Sequence, residues 1–448
     1  MFNKKLAVLA AIVGAIANAS VVMAEGPELR MPVLTLDTTA TAPADTAPAP
    51  TTLTPLMMGL DKLGAAKPLQ DAGLNIYGWI DAGYTYDHRS QGHNGPVMIG
   101  VATYGTHGQQ NHAYLNQFAL RFERTVASDK WDVGGLIEVM YGSDAAAIHS
   151  NGMSFGNETR SGQGGTPGAD DRFNPLYQFD IPQAYVDVNI PVGNGLKIRA
   201  GKTYGLLGYE SIDPRATPFY SRSYLFNATP YTMTGIMAWY TINDQWEIGS
   251  CIIRGSDQTL EDNNGAISYV GHLIYKPSTQ WSFALNVQTG PENDHDTSHY
   301  RTSPDLVITW QATEKLSFAL EALYMYDGGR NGSAPTNSHA YGDVWGAAFY
   351  TSYVFNDYLT GNIRMEKFHD FANDFVVANP VGTGVPSVNV YEITLGLSIK
   401  PFPKDPILKN LLIRPETRYD YSEDHVFQAG NSSFRDQCTF AADVIFSF

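Results

Sequence analysis

The C-terminal stretch of this chain alternates between two kinds of side chain, and this constrains the fold more than any other sequence feature. From Cys438 to Phe448 every second residue is apolar, and the residues between them are mostly polar or small. A period of two predicts a β-strand with one apolar face. A strand of this kind that ends in a C-terminal phenylalanine is typical of the closing strand of a bacterial outer-membrane β-barrel. We therefore expect Phe446 and Phe448 to act as a barrel-assembly signal.

The N-terminus has the composition of a secretory signal. Two lysines precede an apolar stretch at 6–17, and residues 22–24 read Val-Met-Ala, which is a small-x-small cleavage pattern. We predict a signal peptide at 1–24, because the apolar stretch is too short to span a bilayer well. The following segment, 25–70, is rich in alanine, threonine and proline. That composition predicts a disordered periplasmic segment ahead of a barrel domain at 71–448.

The rest of the chain contains repeated stretches with the same period of two. The first, at 74–87, places apolar residues at even positions and polar residues such as Asp81 at odd positions. The complete set predicts about sixteen strands, within a range of 14–18. The stretches are 74–87, 113–126, 131–143, 180–190, 195–205, 232–242, 245–255, 265–276, 280–289, 305–312, 315–327, 343–355, 358–369, 388–400, 410–423 and 434–448.

The connections between these stretches alternate between long and short. Residues 88–112 form a long connection, whereas 127–130 form a short one, and the alternation then continues along the chain. Short turns on one side and long loops on the other are the signature of an outer-membrane barrel. The predicted fold is therefore all-β: a transmembrane antiparallel up-and-down β-barrel with short periplasmic turns and long extracellular loops.

Charge and composition exclude several classes of function. The formal net charge of −16 argues against nucleic acid or anionic lipid as partners. Most histidines fall in predicted loops without regular ligand spacing, so we expect no metal and no cofactor. We find no nucleophile motif or convincing Ser/His/Asp grouping, so we do not expect an enzyme.

Side-chain parity assigns a set of charged residues to the lumen. A charge that faced lipid at the bilayer midplane would cost about 2–4 kcal/mol, so these residues are expected to face water. Cations cluster near the predicted closing seam, and two more extend the set on the fifth strand. These predicted pore-lining cations are Arg121, Arg414, Arg418, Arg435, Lys197 and Arg199.

The connection 206–231 is unusually apolar and aromatic for an external loop. An exposed loop of that composition would form an aggregation-prone patch, whereas folding it into the barrel would hide its side chains and narrow the pore. Glu210 and Asp213 of this loop would then face the arginine wall. Two interpretations stay open: the charges neutralise each other and solvate the lumen, or they form a constriction that filters solutes by charge and size.

Several stretches resemble a known family, the putative β-barrel porin-2 (OmpL-like) family. The resemblance covers most of the chain after residue 74, and SRSYLFNATPYT (221–232) is its most specific part. It implies an outer-membrane barrel with a pore function, and it brings no catalytic or binding residues. The stretches are GWIDAGYTYD (78–87), NQFALRFER (116–124), QAYVDVNIPVGNGLKIRAGKTYG (183–205), IDPRATPFYSRSYLFNATPYTMTGI (212–236) and EDNNGAISYVG (261–271).

Together these features predict a porin in the outer membrane of a Gram-negative-type bacterium. It would pass small hydrophilic solutes passively through a water-filled lumen. The expected partners are outer-membrane lipids, the solutes themselves and the barrel-assembly machinery, with a homo-oligomer such as a trimer as one option. The alternatives are a substrate-selective channel, for carbohydrate or an anion, and a barrel-anchored enzyme or adhesin.

Overall fold

The structure is a computed structural model, and it describes residues 53–87, 89, 111–153, 177–328, 342–370, 387–429 and 432–448. The predicted signal peptide and the first part of the predicted disordered segment, 25–52, lie outside the described residues.

Sixteen antiparallel strands close into one barrel, as the alternation of the sequence predicts. Each strand pairs with its neighbours in chain order, and a short hairpin, β16–β17, lies outside this sheet in the last long loop. The strands are β1 Leu74–Asp87, β2 Ala113–Arg124, β3 Asp132–Gly142, β4 Gln178–Ile190, β5 Leu196–Tyr204, β6 Thr232–Asn243, β7 Trp246–Ser256, β8 Ser268–Ser278, β9 Trp281–Pro291, β10 Tyr300–Gln311, β11 Leu316–Asp327, β12 Gly342–Asn356, β13 Leu359–Asp370, β14 Val388–Ile399, β15 Leu411–Ser422, β16 Phe427–Ala429, β17 Ser432–Phe434 and β18 Asp436–Ser447.

The first and last barrel strands form the closing seam. In this seam β1 pairs with β18 from Trp79 opposite Ser447 to Asp87 opposite Thr439. The backbone of Phe448 extends the ladder, since its N–H donates to the carbonyl of Gly78 and its own carbonyl accepts from the Gly78 N–H, both at 2.9 Å. The C-terminal residue therefore closes the barrel, while its role as an assembly signal stays a prediction.

Alternation along the strands separates a lipid-facing surface from the lumen. On β18, Phe440 and Val444 are exposed on the outside, whereas Asp443 and Ile445 are buried on the inside. Exposed aromatic side chains also gather at both ends of the strands, which is the arrangement of two interfacial girdles. Examples at the loop ends are Tyr84, Tyr86, Tyr326, Tyr419 and Tyr421, and examples at the turn ends are Trp131, Trp246, Trp310 and Phe355.

Two short helices precede the barrel, α1 at Pro55–Lys62 and α2 at Ala66–Asp71. The prediction of disorder over 25–70 therefore does not hold for its last part. Thr54 caps α1 by accepting from the N–H of Met57, and it donates to the Ile76 carbonyl of β1. Among the described residues, no helix is both long and apolar enough to traverse a bilayer.

The seam gives a test of how the barrel closes. A β-carbon on Gly78 would lie 2.2 Å from the Ala119 carbonyl oxygen and 2.9 Å from the Phe448 ring. Gly78→Ala should therefore destabilise the packing of β1 against both β2 and the C-terminal residue by about 1–3 kcal/mol, and lower the folded, heat-modifiable fraction in outer membranes. The matched control is Gly271→Ala on β8, where nothing lies within 4 Å of the new methyl group. Equal folded fractions of the two variants would show that the close packing at Gly78 does not contribute to assembly of the barrel.

Candidate functional site

The candidate site is the loop between β5 and β6, residues 205–231, together with the lumen wall that it contacts. Unlike an ordinary external loop, this loop is buried along most of its length. The side chains of Phe219 and Leu225, for example, have only 1% and 0% of their surface exposed. Side chains of this kind are buried only when another surface covers them, and here that surface is the inside of the barrel. The aromatic composition of the loop is thus explained by its position.

Apolar packing joins the loop to the wall formed by β11–β14. Phe219, Tyr224, Leu225 and Ala228 of the loop share one buried cluster with that wall. Burial of one large apolar side chain contributes about 1.5–3 kcal/mol, so this contact holds the loop firmly on one side of the lumen. The wall contributes Ala319, Leu323, Met325, Val344, Ala348, Tyr350, Phe368, Val388 and Val390.

The loop also packs against the opposite part of the barrel. Leu207 belongs to a cluster with Met233, Met237 and Trp239 on β6, together with residues of β7 and β8. A third cluster contains Ile212 and Phe226 of the loop. These side chains pack on Met140 of β3 and Tyr204 of β5. Residues of and next to a short helix, α3 at Ser143–Ala147, complete this cluster. The loop therefore contacts several sides of the lumen and narrows it.

The backbone of the loop needs hydrogen-bond partners, because most of the loop has no regular secondary structure. Glu366 of β13 supplies two of them. Its carboxylate oxygens accept from the N–H groups of Tyr224 and Leu225, both at 2.8 Å. These donors open the short helix α4, Tyr224–Ala228, where backbone N–H groups have no partner within the helix. A wall carboxylate thus adds to the N-cap of the helix, where the Ser223 hydroxyl accepts from the N–H of Phe226 at 3.0 Å.

Other wall carboxylates bind the loop in the same way. Glu416 of β15 accepts from the N–H groups of Tyr220 at 2.9 Å and Ser221 at 3.1 Å. On β10 and β11, two further acids accept from the N–H groups at the start of the loop. These pairs are Asp305 with Gly208 at 2.8 Å and Glu321 with Tyr209 at 3.0 Å.

Two of the predicted arginines bind loop carbonyls. Arg414 donates from Nη1 to the carbonyl oxygens of Pro214 at 2.8 Å and Thr217 at 2.7 Å, and its guanidinium also pairs with Asp443 of β18. Arg418 donates from Nη1 to the Arg222 carbonyl oxygen at 2.6 Å, and it pairs with Asp420 on its own strand. Both arginines therefore meet the loop through its backbone, while their counter-ions come from the wall.

Glu210 also departs from the predicted arrangement. The sequence predicts that it faces the arginines near the seam, but its Oε1 lies 2.7 Å from Nη1 of Arg364 on β13. Arg364 is fully buried, and its Nε also pairs with Glu392 at 2.9 Å. Arg364 and Glu366 both occupy even-numbered positions of β13, so the alternation of the strand assigns both side chains to the lumen. The alternation alone could have added both residues to the candidate set.

Asp213 forms the predicted contact with the arginine wall. Its Oδ2 lies 3.2 Å from Nη2 of Arg121, which also pairs with Glu138 at 2.7 Å. Arg215 binds the same carboxylate, with Nη2 at 2.6 Å from Oδ2. Burial alone would raise the pKa of the Asp213 carboxyl, but Arg215 and Arg121 hold that pKa well below its ordinary value. Asp213 therefore stays ionised and links the loop to β2.

The remaining predicted cations lie apart from this network. Arg199 pairs with Asp187 at 2.7 Å and stacks on Tyr185, with its Cζ 3.4 Å from the ring centroid. Lys197 lies over Trp239, with Nζ 5.1 Å from the ring centroid. Arg435 was predicted to face the lumen, and this stays a prediction. It is exposed at the bend between β17 and β18, and since β18 begins only at Asp436, the parity of the strand does not assign its side chain.

The charged side chains of the lumen either form ion pairs with the loop or bind its backbone. Direct ion pairs join Asp213 to Arg121 and Glu210 to Arg364, so no open gap separates these opposite charges. Several other charged groups of the wall hold the loop backbone. The arrangement is a transmembrane barrel with a loop fixed inside it, which is the architecture of an outer-membrane channel protein.

The chain belongs to the putative β-barrel porin-2, OmpL-like family, whose model matches residues 73–448. The family and the fold place the protein in the outer membrane of a Gram-negative-type bacterium, as a channel of the porin type. No curated protein sequence matches this chain.

Solved porins share the fold at low sequence identity. Pseudomonas putida OprB is 10% identical with a TM-score of 0.52, and the match covers 87% of this chain and 97% of OprB. An anion-selective porin from Comamonas acidovorans is 11% identical with a TM-score of 0.51, covering 84% and 99%. Vibrio cholerae OmpT, solved in a trimer form, is 8% identical with a TM-score of 0.50, covering 84% and 99%.

Glu366 provides a test of how the loop is held. In Glu366→Gln, one carboxyl oxygen is replaced by an amide NH2 group, which cannot accept from a backbone N–H, so one of the two hydrogen bonds is lost. A buried N–H left without a partner costs about 1–3 kcal/mol, so release of the loop should become at least about fivefold more frequent. Trypsin should then cleave the folded barrel after Arg215 or Arg222 faster than in the wild type, as peptide mapping would show.

The matched control for this substitution is Glu314→Gln, in the exposed turn between β10 and β11. It makes the same chemical change away from the loop and should leave cleavage at the wild-type rate. If Glu366→Gln also cleaves at the wild-type rate, the carboxylate does not hold the loop.

Proposed function

We propose that the protein is a passive channel for small hydrophilic solutes and that the folded-in loop 205–231 sets the size limit. The single observation that carries this proposal is the attachment of the loop to several sides of the lumen by ion pairs, backbone hydrogen bonds and apolar packing. A loop held in this way is a fixed constriction, whereas a loop attached at one edge could swing aside. The constriction residues are Arg121, Asp213, Arg364, Glu210, Arg414 and Arg418.

The inward side chains are more deeply buried at the level of the loop than toward the turn ends of the strands. At the level of the loop, inward side chains such as Glu321 and Arg364 are buried. Toward the turn ends, inward side chains such as Ser282, Thr309 and Ser317 are partly exposed. These hydroxyl side chains favour water, so the periplasmic half supports a wide aqueous vestibule below a narrow constriction.

We further propose a modest preference for anions. Lys197 and Lys276 face the vestibule, and both are partly exposed. Neither ammonium group is paired directly with a carboxylate in the part of the chain that the structure describes, and the Glu247 carboxylate of β7 acts on both charges from nearby. Cations in a water-filled pore attract anions and raise their local concentration.

A barrel-anchored enzyme or adhesin is the weaker alternative. Among the described residues, we find no cluster of side chains that supports either function.

A homo-oligomer is also part of the proposal. The porin fold is shared with OmpT, which has been solved in a trimer form. The outer face of the barrel carries exposed apolar residues around its circumference, so lipid or a second copy can cover it.

Planar-bilayer recordings test the size limit. Replacement of residues 212–226 by a flexible glycine-serine linker should raise the single-channel conductance several-fold, because it removes the obstruction from the lumen. The same replacement at the loop segment 293–298, between β9 and β10, is the control and should leave the conductance unchanged. Unchanged conductance after loss of 212–226 would show that this loop does not limit the pore.

Two further results from these recordings bear on the proposal. Absence of any channel in the wild type and in the loop variant would contradict a pore function. In a salt gradient, a reversal potential that indicates cation preference in the wild type would contradict the proposed preference for anions.

A further inference from the structure

One lysine lies on the lipid-facing surface of the barrel. Even-numbered residues of β13 face the lumen, as the buried Arg364 and Glu366 show. Odd-numbered residues face outward, where Ile363 is 39% exposed and Met365 is 45% exposed. Lys367 follows in this outward row and is also exposed. Its ammonium group therefore points away from the lumen, toward the membrane.

Aromatic rings on the neighbouring strands flank this lysine. Its Nζ lies 5.1 Å from the ring centroid of Trp345 on β12 and 5.4 Å from that of Tyr391 on β14. In the strand register Lys367 is opposite Ala347 on one side and Tyr391 on the other. Two cation–π contacts hold the side chain in one position on the barrel surface.

The lysine lies at the level of the extracellular aromatic girdle. Tyr391 is opposite Tyr421, and the two ring centroids are 6.3 Å apart. Interfacial tyrosine and tryptophan rings mark the depth of the lipid headgroups. Lys367 is therefore at headgroup depth, where a lysine on the outer face of a barrel destabilises the fold far less than it would at the bilayer midplane.

A histidine extends the polar group on the same strand. His369 is the next outward residue, and its ring stacks on Trp345 with centroids 5.2 Å apart. Its Nδ1 lies 3.0 Å from Oδ1 of Asn389. The stack and this polar contact hold the imidazole ring beside Trp345 on the outer surface.

Lys367 lacks the counter-ion that comparable surface charges have. Arg254, near the loop end of β7, pairs with Asp262 at 2.9 Å, and Asp436, at the start of β18, pairs with Arg89 at 3.1 Å. Over the described ranges of the chain, Lys367 has no carboxylate partner, and its contacts are the two rings. An anion from outside the chain would supply the counter-ion that Lys367 lacks.

We propose that Lys367, with Trp345, Tyr391 and His369, binds a phosphate group of a glycolipid in the outer leaflet. The lysine supplies a strongly hydrated point charge of the kind that binds phosphate, and the rings cover the sugar and the upper acyl region. The inference rests on the outer-membrane location of the protein and is independent of the pore. The net charge of −16 disfavours general attraction to anionic lipid, so binding depends on this local site.

Native mass spectrometry of the purified folded protein tests the proposal. The probes are lipid A with both phosphates and the same lipid with its phosphates removed. The wild type and Lys367→Arg should retain the phosphorylated lipid, whereas Lys367→Met should bind it about tenfold more weakly. Lys315→Met, in the periplasmic turn between β10 and β11, makes the same change elsewhere and should bind as the wild type does.

Three results would overturn the proposal. The first is equal binding of phosphorylated lipid A by Lys367→Met and the wild type. The second is equal binding of the two lipids by the wild type, a comparison that needs no variant and so does not depend on the folding of one. The third is a loss of oligomers in Lys367→Met with lipid binding unchanged, which would show that the lysine contacts a second copy of the chain.

Discussion

The structure depends on hydrogen bonds between charged side chains of the wall and the backbone of the loop inside the barrel. A buried segment with little regular secondary structure leaves peptide N–H and C=O groups without partners, and each unpaired group is costly. Here carboxylates such as Glu366 and Glu416 accept from the N–H groups, and guanidinium groups such as Arg414 donate to the carbonyl oxygens. The strands can position both kinds of group because every second residue faces inward.

This use of charge connects the fold to the channel. Charges that only solvated a lumen would need no particular partners, and charges that only made a field would face each other across water. In this barrel most of them form direct ion pairs or bind the loop backbone, so they fix the position of an obstruction. The cations toward the turn ends, Lys197 and Lys276, have no direct carboxylate partner among the described residues, and Glu247 acts on both from nearby. In the proposed function, size selection and charge selection lie at different levels of the pore.

The sequence predicts the fold well because a period of two is a local signal that every strand carries. All sixteen barrel strands and the alternation of long and short connections follow from it. The composition of 206–231 also indicates a buried loop. Parity assigns Arg364 of β13 to the lumen, so the alternation could have added this residue to the candidate set. Parity gives neither the height nor the partner of a side chain, and it does not apply to a loop residue such as Glu210, which was matched to the wrong arginines. Arg435 precedes β18, so parity does not assign its side chain either. The helices at 55–71 depend on contacts with β1 that composition does not reveal.

Amide hydrogen exchange of the intact folded barrel is the most direct test of the central claim. The account predicts that the N–H groups of Gly208, Tyr209, Tyr224 and Leu225 exchange slowly, at rates comparable to those of the barrel strands, because each donates to a buried carboxylate. Amides in the exposed part of loop 292–299 give the fast reference. Exchange of the four loop amides at that fast rate would contradict the account, because it would mean that the wall does not hold the loop.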